Sequence, residues 1–329
     1  MNSNRHVRTM WTFVVLVAGV AVVAVAQEYG AALFKRLGAS GFIPLDDWIE
    51  VAVDWIAVTF MGFFDTIALV VNTGYAWVLS FFELFPIFYT QIGEAIIPFP
   101  LLAVFAFPLM WWLGRSLWTA LFSMVALWLI ASFGLWEEAL MTLSLTLTSA
   151  LMALALGIPI GIWAGRSDRV ETVVRPVLDF MQTLPVFVWL IPTVILFGIG
   201  AAPGAIATII FALPPAVRLT SLGIREVPHE LVEAGQAFGC TSMQLLWKVQ
   251  LPVARPSIMA GVNQTIMLAL SMVVVAALIG AGGLGGEVIR GIQRMLVGKG
   301  FVAGISVVFI AIMFDRATRN IGHRNNRKT

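Results

Sequence analysis

Charge is scarce in this sequence. Only 12% of its 329 residues are Asp, Glu, Lys or Arg, 60% are hydrophobic, and the mean hydropathy is +0.93. Soluble domains carry about 25% charge, so a water-soluble globule is excluded. A disordered chain is excluded on the same ground. A single cysteine, Cys240, rules out an internal disulfide framework. His6, His229 and His323 are widely scattered and leave little for a metal site or a histidine-based triad. A net charge of +2 offers no basic surface for nucleic acid. No paired carboxylates or activated nucleophile stand out as an active site. The composition is that of an all-α polytopic membrane protein.

A spanning helix needs about 20 mostly apolar residues. Eight segments approach this: Met10–Gln27, Pro98–Leu113, Ser116–Trp136, Ala139–Ala164, Pro176–Ile199, Ala205–Ile224, Ser257–Ile279 and Phe301–Phe314. The second and the last are short, as tilted or partial spans would be. Lys and Arg gather on the cytoplasmic side of membranes. With the N-terminus inside, Lys35, Arg36, Arg290, Arg294 and Lys299 fall outside, and the other fifteen of the twenty Lys and Arg face the cytoplasm. Both ends are therefore expected to be cytoplasmic. Arg5, Arg8 and Ala24-Val-Ala26 give the first segment a rival reading as a secretory signal. An uncleaved anchor is preferred because signal cores are short.

Leu45–Phe85 has no Lys or Arg. At about 100° per residue, Asp47, Glu50, Asp54, Asp65, Asn72 and Glu83 fall on one narrow stripe of an otherwise apolar surface. This predicts a long amphipathic helix, broken near Gly62 or Gly74, lying in the membrane plane. The anionic cytoplasmic leaflet would repel its acidic stripe, which places it outside. The alternative is one or two ordinary spans with acids at their ends.

The longest cytoplasmic stretch is Arg225–Pro256. Pro228 suits the first turn of a helix over about Pro228–Phe238, with Leu231, Ala234, Gly235 and Phe238 on one face and Glu230 and Glu233 off it. Gly239 sits where a C-cap glycine belongs. Thr241-Ser-Met-Gln244 is a capping-box pattern that opens a second helix, which Pro252 is expected to stop. The small residues Ala234, Gly235 and Ala237 would let a partner approach the first helix closely.

The spacing is more specific than a surface hairpin needs. Glu233-Ala234-Gly235, three residues, Gly239, nine residues, Val249, one residue, Leu251-Pro252 resembles the Glu-Ala-Ala signature loop of bacterial ABC importer permeases. Gly235 stands for the second Ala and Val249 for Ile. Gly157-Ile-Pro-Ile-Gly-Ile-Trp-Ala-Gly165, Asp179-Phe-Met-Gln-Thr-Leu-Pro185, Ile209-Ile-Phe-Ala-Leu-Pro-Pro215, Met259–Met272 and Gly282-Gly-Leu-Gly285 resemble the glycine betaine/proline betaine (ProW-type) permeases. The match covers about 140–315.

That resemblance implies a type I ABC importer transmembrane core of about eight spans plus the interfacial helix. It implies an anchor and accessory segment over 1–137, a permease domain over 138–317 and a basic tail over 318–329. The implied partners are a dimer of ABC ATPase subunits, an extracytoplasmic substrate-binding protein, a second copy of the permease and membrane lipid. The chain has no Gly-x-x-x-x-Gly-Lys-Ser/Thr phosphate loop, so ATP and its Mg²⁺ would belong to the partner and this chain would bind no cofactor. The implied substrates are betaines first, then choline, carnitine or trimethylamine N-oxide. A secondary transporter working alone predicts inverted repeats and paired intramembrane charges, and the sequence shows neither.

The remaining motifs have structural readings. Gly280-Ala-Gly-Gly-Leu-Gly285 matches a dinucleotide fingerprint but follows a spanning helix rather than a strand, so it reads as a flexible helix end near the outer gate. Gly157, Gly161 and Gly165 have the small-xxx-small spacing that lets helix backbones touch in lipid. Pro159, Pro185 and Pro192 are expected to kink their helices. Intramembrane polar groups mark pathways by default, which singles out Asp179, Gln182, Asn263 and Gln264. Asp179 has a structural alternative in pairing with Arg175 one turn earlier, and the two amides one as interhelical glue. Quaternary ammonium groups are held by aromatic faces, and Trp163, Phe187 and Trp189 are the nearest candidates.

Overall fold

The computed structural model describes residues 45–92, 95–114 and 116–322. The expected anchor Met10–Gln27 and the basic tail Arg324–Lys328 lie outside the described residues. The chain divides after Thr59 into two compact units. In the first, α1 (Leu45–Thr59) exposes Trp48, Val51 and Val58. In the second, α2 (Met61–Glu83) runs to a two-stranded ribbon, β1 (Ile87–Ile92) and β2 (Ala95–Pro100). The strands are antiparallel, with Ile87 opposite Pro100 and Ile92 opposite Ala95. Two short apolar helices follow, α3 (Leu101–Gly114) and α4 (Leu117–Ser132). The bundle core is α5 (Trp136–Arg166), the pair α6 (Asp168–Thr183) and α7 (Leu190–Phe197) joined by a 3₁₀ turn at Val186–Trp189, and α8 (Ala201–Arg225). Next come the loop helices α9 (His229–Ala237) and α10 (Ser242–Leu245), then α11 (Leu251–Ala276), α12 (Gly283–Gln293) and α13 (Val297–Gly322).

Five helical segments among the described residues are long and apolar enough to cross a membrane, or six if the bent pair α6–α7 counts as one span. Eight were expected along the whole chain. The differences have local causes. Pro98 does not open a helix, because the ribbon continues to Pro100; a two-stranded ribbon has free edges, where a missing N–H is tolerated. The expected amphipathic helix breaks at Phe60, not at Gly62 or Gly74. Its second half is not a free interfacial stripe. Val71 is buried in a core cluster with Leu145, Ala150 and Ile206, and Phe64 meets Phe197 edge-on at 5.4 Å. Asp65, Asn72 and Glu83 stay exposed on the other side of α2.

Glycine positions set how the core helices meet. A Cβ at Gly157 would stand 2.7 Å from Ala216 Cβ, at Gly161 2.6 Å from Thr220 Cβ, and at Gly165 3.0 Å from Ile224 Cβ. The four-residue spacing therefore runs along α8 as well, and α5 and α8 lie parallel with backbones nearly touching. This is the small-xxx-small packing expected from sequence. On the far side of α8, Gly223 faces Ser257 and Ala254, and Gly261 faces Leu219 and Pro215, so α11 packs antiparallel.

Several helices end in the same hydrogen-bonded turn. At Gly134, Gly239 and Gly280 a residue of positive φ lets two successive N–H groups donate back to the last turn. Met295 does the same at the end of α12 with φ 54°, a conformation that costs a side-chain-bearing residue roughly 1–2 kcal/mol. Gly280–Gly285 is not the flexible helix end expected from sequence. Ala281, Gly283, Leu284 and Gly285 are buried, and Thr142 Oγ1 accepts a 2.8 Å bond from the Leu284 N–H. The glycines are there because α12 starts in contact with α5: a Cβ at Gly283 would lie 2.5 Å from Thr142 Oγ1.

Substituting Gly161 by Ala should force α5 and α8 apart and cost about 1–3 kcal/mol. Gly304→Ala, where a Cβ meets nothing within 4 Å, should instead hold or raise stability, by up to about 1 kcal/mol of helix propensity. Thermal unfolding of the two variants in detergent measures the contrast.

Candidate functional site

The loop between α8 and α11 is built from rigid local parts. Pro228 caps α9 with extended backbone geometry, and the helix closes at Gly239, φ 75°. Gly239 N–H donates to Gln236 O at 2.9 Å and Cys240 N–H to Gly235 O at 3.1 Å. Thr241 N–H then donates to Gln244 Oε1 at 2.9 Å, and Gln244 N–H donates to Thr241 Oγ1 at 3.3 Å. This is the expected capping box, and it launches α10. Two helix ends thus fix the corner from both sides, with no free residue between Gly239 and Thr241 except Cys240.

One expectation fails here. Pro252 does not stop the second helix. α10 passes through a π-helical turn, Leu246–Gln250, into α11, so that Ser242–Ile279 is one 38-residue helical segment. Leu251 N–H donates to Leu246 O, five residues back. The widened turn accommodates a proline ring that would clash with an α ladder and has no N–H to contribute to it.

The spacing of the loop residues becomes intelligible in this geometry. Gly235 is buried and faces the chain's own second helix, not a partner as expected: a Cβ there would lie 2.7 Å from Leu245 Cδ1 and 3.6 Å from Val249 Cγ2. Leu251 packs with Ile224, Leu246 and Ala254, joining the loop to the ends of α5, α8 and α11. Gly235, Val249 and Leu251 therefore hold the loop together. Glu233, Ala234 and Pro252 point outward, as do Leu231 and Phe238, the last 90% exposed. Trp247 and Met243 extend this exposed apolar surface. Cys240 is a half-buried free thiol at the corner.

An ionic clamp lies beside the loop. The expected single span Pro176–Ile199 is instead bent by 107° between α6 and the Val186–Phe197 segment. Pro185 causes the break, because the residue before a proline avoids helical geometry and Leu184 is extended at φ −69°, ψ 134°. Trp189 Nε1 donates to Met181 O at 3.3 Å across the bend. α6 lies antiparallel along α8 with three of its acids on the side of that helix. Asp168 accepts from Arg225 at 2.6 Å, Arg225 also donates to Ala164 O at 2.7 Å, and Ser221 donates to Glu171 at 2.9 Å. Asp179 pairs with Arg218, not with Arg175 as sequence proximity suggested. Sequence reading missed this clamp. Its signal was present: Arg218, Ser221 and Arg225 share one face of α8, and Asp168 and Glu171 share one face of α6.

The candidate path residues are not brought together. Trp163 on α5 is 65% exposed and Phe187 59% exposed, while Trp189 packs in a cluster with Leu190, Ala207 and Met272. Among the described residues no ring contact joins these three. Gln182 is exposed beside the bend. Asn263 Oδ1 accepts from Thr318 Oγ1 and ties α11 to α13, which is the interhelical-glue reading. Gln264 is exposed, on a stripe of α11 shared with Ala260 and Ser271.

With this geometry in view, comparison with known proteins is decisive. Residues 157–327 match the family model described as binding-protein-dependent transport system inner membrane component. The chain belongs to this permease family. It is 47% identical to the glycine betaine transport system permease protein OpuAB of Bacillus subtilis, across 85% of this chain and 94% of that protein. It is 44% identical to the glycine betaine/proline betaine transport system permease protein ProW of Escherichia coli, across 87% and 78%. The fold is shared with inward-facing conformations of the MetNI methionine ABC transporter, with a TM-score of 0.52 at 22% identity over 57% of this chain and 94% of that one. This permease is thus a multi-pass inner-membrane transport subunit with the type I ABC importer core, not an enzyme.

Gly239→Ala should strain the corner by roughly 1–2 kcal/mol. Because a Cβ at Gly239 meets nothing within 4 Å, the strain stays local. Limited proteolysis of the purified permease should then cut faster between Phe238 and Thr241, with the melting temperature of the bundle unchanged.

Proposed function

We propose that this chain forms the membrane path of an ATP-driven importer of betaine-type compatible solutes. Glycine betaine and proline betaine come first, and choline, carnitine and trimethylamine N-oxide follow as smaller variations on the same chemistry. The solute class is inferred from what OpuAB and ProW are named for, together with their identity to this chain over most of its length.

The observation that carries the mechanism is the outward face of α9. Leu231, Ala234 and Phe238 form an exposed apolar edge beside Glu230 and Glu233, at a helix whose C-terminal corner is fixed by the Gly239 turn and the Thr241 capping box. In this reading α9 seats in a groove of an ATPase subunit, and Glu233, Ala234, Gly235, Gly239, Leu251 and Pro252 are the coupling residues. A dimer of such subunits hydrolyses ATP, with Mg²⁺, outside this chain. An extracytoplasmic binding protein delivers solute, and two copies of the permease enclose the path. Trp163, Asp179, Gln182, Phe187, Trp189, Asn263 and Gln264 are the side chains offered to that path. Asp179 and Asn263 act there through the helices they brace. The loop and its arginine-rich surroundings face the cytoplasm, as do both termini. The permease domain is 138–317, preceded by the accessory segment 1–137 and followed by the tail 318–329.

Reconstitution with the ATPase and binding protein tests the reading. Phe238→Asp places a charge on the docking edge and should cut ATP-driven glycine betaine uptake by about tenfold or more, the usual scale for losing an interface anchor, while the permease melts at the wild-type temperature. Uptake that needs no ATPase, or that the variant leaves intact, overturns it.

A further inference from the structure

The opposite end of α5 from the loop carries a second chemically distinctive place. A cavity of about 390 Å³ opens between the α4–α5 turn, α12 and the start of α13. Its lining includes Phe133, Glu138, Glu287 and Lys299, with the bare backbone of Gly134 and Gly298 between them. The volume lies within the usual range for small-molecule sites, roughly 300–1,000 Å³.

The walls are held in place. Thr142 donates to Glu138 O and accepts from the Leu284 N–H, both at 2.8 Å, which pins α12 to α5. The backbones of α12 and α13 touch at Gly291 and Gly300, where a Cβ on Gly291 would lie 2.5 Å from Gly300 Cα. Glu287 pairs with Arg290 and its side chain is only 21% exposed. The Glu138 carboxylate and the Lys299 ammonium pair with no other described residue. An unpaired carboxylate, a second one paired with Arg290, one free ammonium and a phenyl ring thus line a single space.

This mixture suits neither a simple anion nor a metal ion; no group of three or more metal-ligand side chains occurs among the described residues. It suits a zwitterion. A quaternary ammonium group has no proton to donate and is held by negative charge and aromatic faces. A carboxylate is held by an ammonium donor. We infer that this cavity is a weak entry site for zwitterionic quaternary amines, with Glu138, Glu287 and Phe133 around the cationic head and Lys299 on the carboxylate. The inference rests on the solute class proposed above. A zwitterionic lipid headgroup shares this chemistry, and the assignment here is to the free solute.

The test uses the purified permease–ATPase complex without binding protein, in nanodiscs of phosphatidylglycerol. Equilibrium dialysis with radiolabelled glycine betaine should show saturable binding. Glu138→Gln and Lys299→Ala should each weaken it by about tenfold, the scale of one charge-assisted contact. Gly298→Trp should abolish it, since a side chain there enters open space with no positive φ to strain it. Melting temperatures establish that the variants are folded. Absent binding, or binding that the three variants leave unchanged, overturns the inference. Loss of binding when phosphatidylcholine replaces phosphatidylglycerol gives the cavity to lipid and overturns it too. Uptake by the complete system is measured separately. Normal glycine betaine import beside an inert cavity removes this site alone, whereas absent import removes the proposed solute class.

Discussion

Backbone contact between helices is the constraint on which the rest of this structure depends. Lipid is as apolar as a leucine side chain, so hydrophobic burial cannot by itself draw membrane helices together. What remains is close van der Waals contact, which needs surfaces with little projecting from them. Gly157, Gly161 and Gly165 supply one such surface, and Ala216, Thr220 and Ile224 fit against it. Gly223 and Gly261 repeat the device between α8 and α11. α8 is consequently the hub: Ala205, Ala207, Ala212 and Ala216 are fully or almost fully buried along its length. Small residues make this possible at the cost of helix propensity, which the packing must offset.

The ion pairs of that hub lie at its loop end. At the loop end, α6 turns its acids toward Arg218 and Arg225 and leaves Val173, Val177 and Phe180 exposed on its other side. This is the reverse of a soluble amphipathic helix, and it fits a helix whose outer surface meets hydrocarbon or another apolar face. These ion pairs are partly exposed, so their value lies in direction and register more than in stability. Within the bundle, Ser144 bonds Leu140 O and Thr208 bonds Gly204 O on their own helices, whereas the buried hydroxyls of Thr146, Thr148, Ser149, Thr220 and Thr265 have no hydrogen-bond partner among the described residues. The Ser144 and Thr208 bonds keep those polar atoms paired without tying helices to one another.

The sequence was most legible where the cause was local. The capping box at Thr241, the helix-ending glycine at 239 and the break at Pro185 all follow from residues within four positions of one another, and each appears in the structure. The small-xxx-small run on α5 was legible as packing, although its partner was not. What escaped were features set by distant chain segments. Asp179 meets an arginine 39 residues away, and Asp168 one 57 residues away; no local pattern chooses these over Arg175. Gly280–Gly285 looked mobile because glycine permits mobility. Here glycine serves closeness instead, and only the position of Thr142 reveals it. Pro252 misled for a similar reason: a π turn absorbs the defect that would otherwise end the helix.

That π turn makes Ser242–Ile279 a single strut. Its 38 residues at 1.5 Å per residue reach about 57 Å, from the exposed corner beside Cys240 to the buried start of α12. A continuous helix of that length converts rotation at one end into displacement at the other. A tilt of about 5° at Ser242 would sweep Ile279 through roughly 5 Å, the rise of one helical turn. Ile279 O accepts from the Gly200 N–H, so the far tip of the rod bears directly on the first residues of α8.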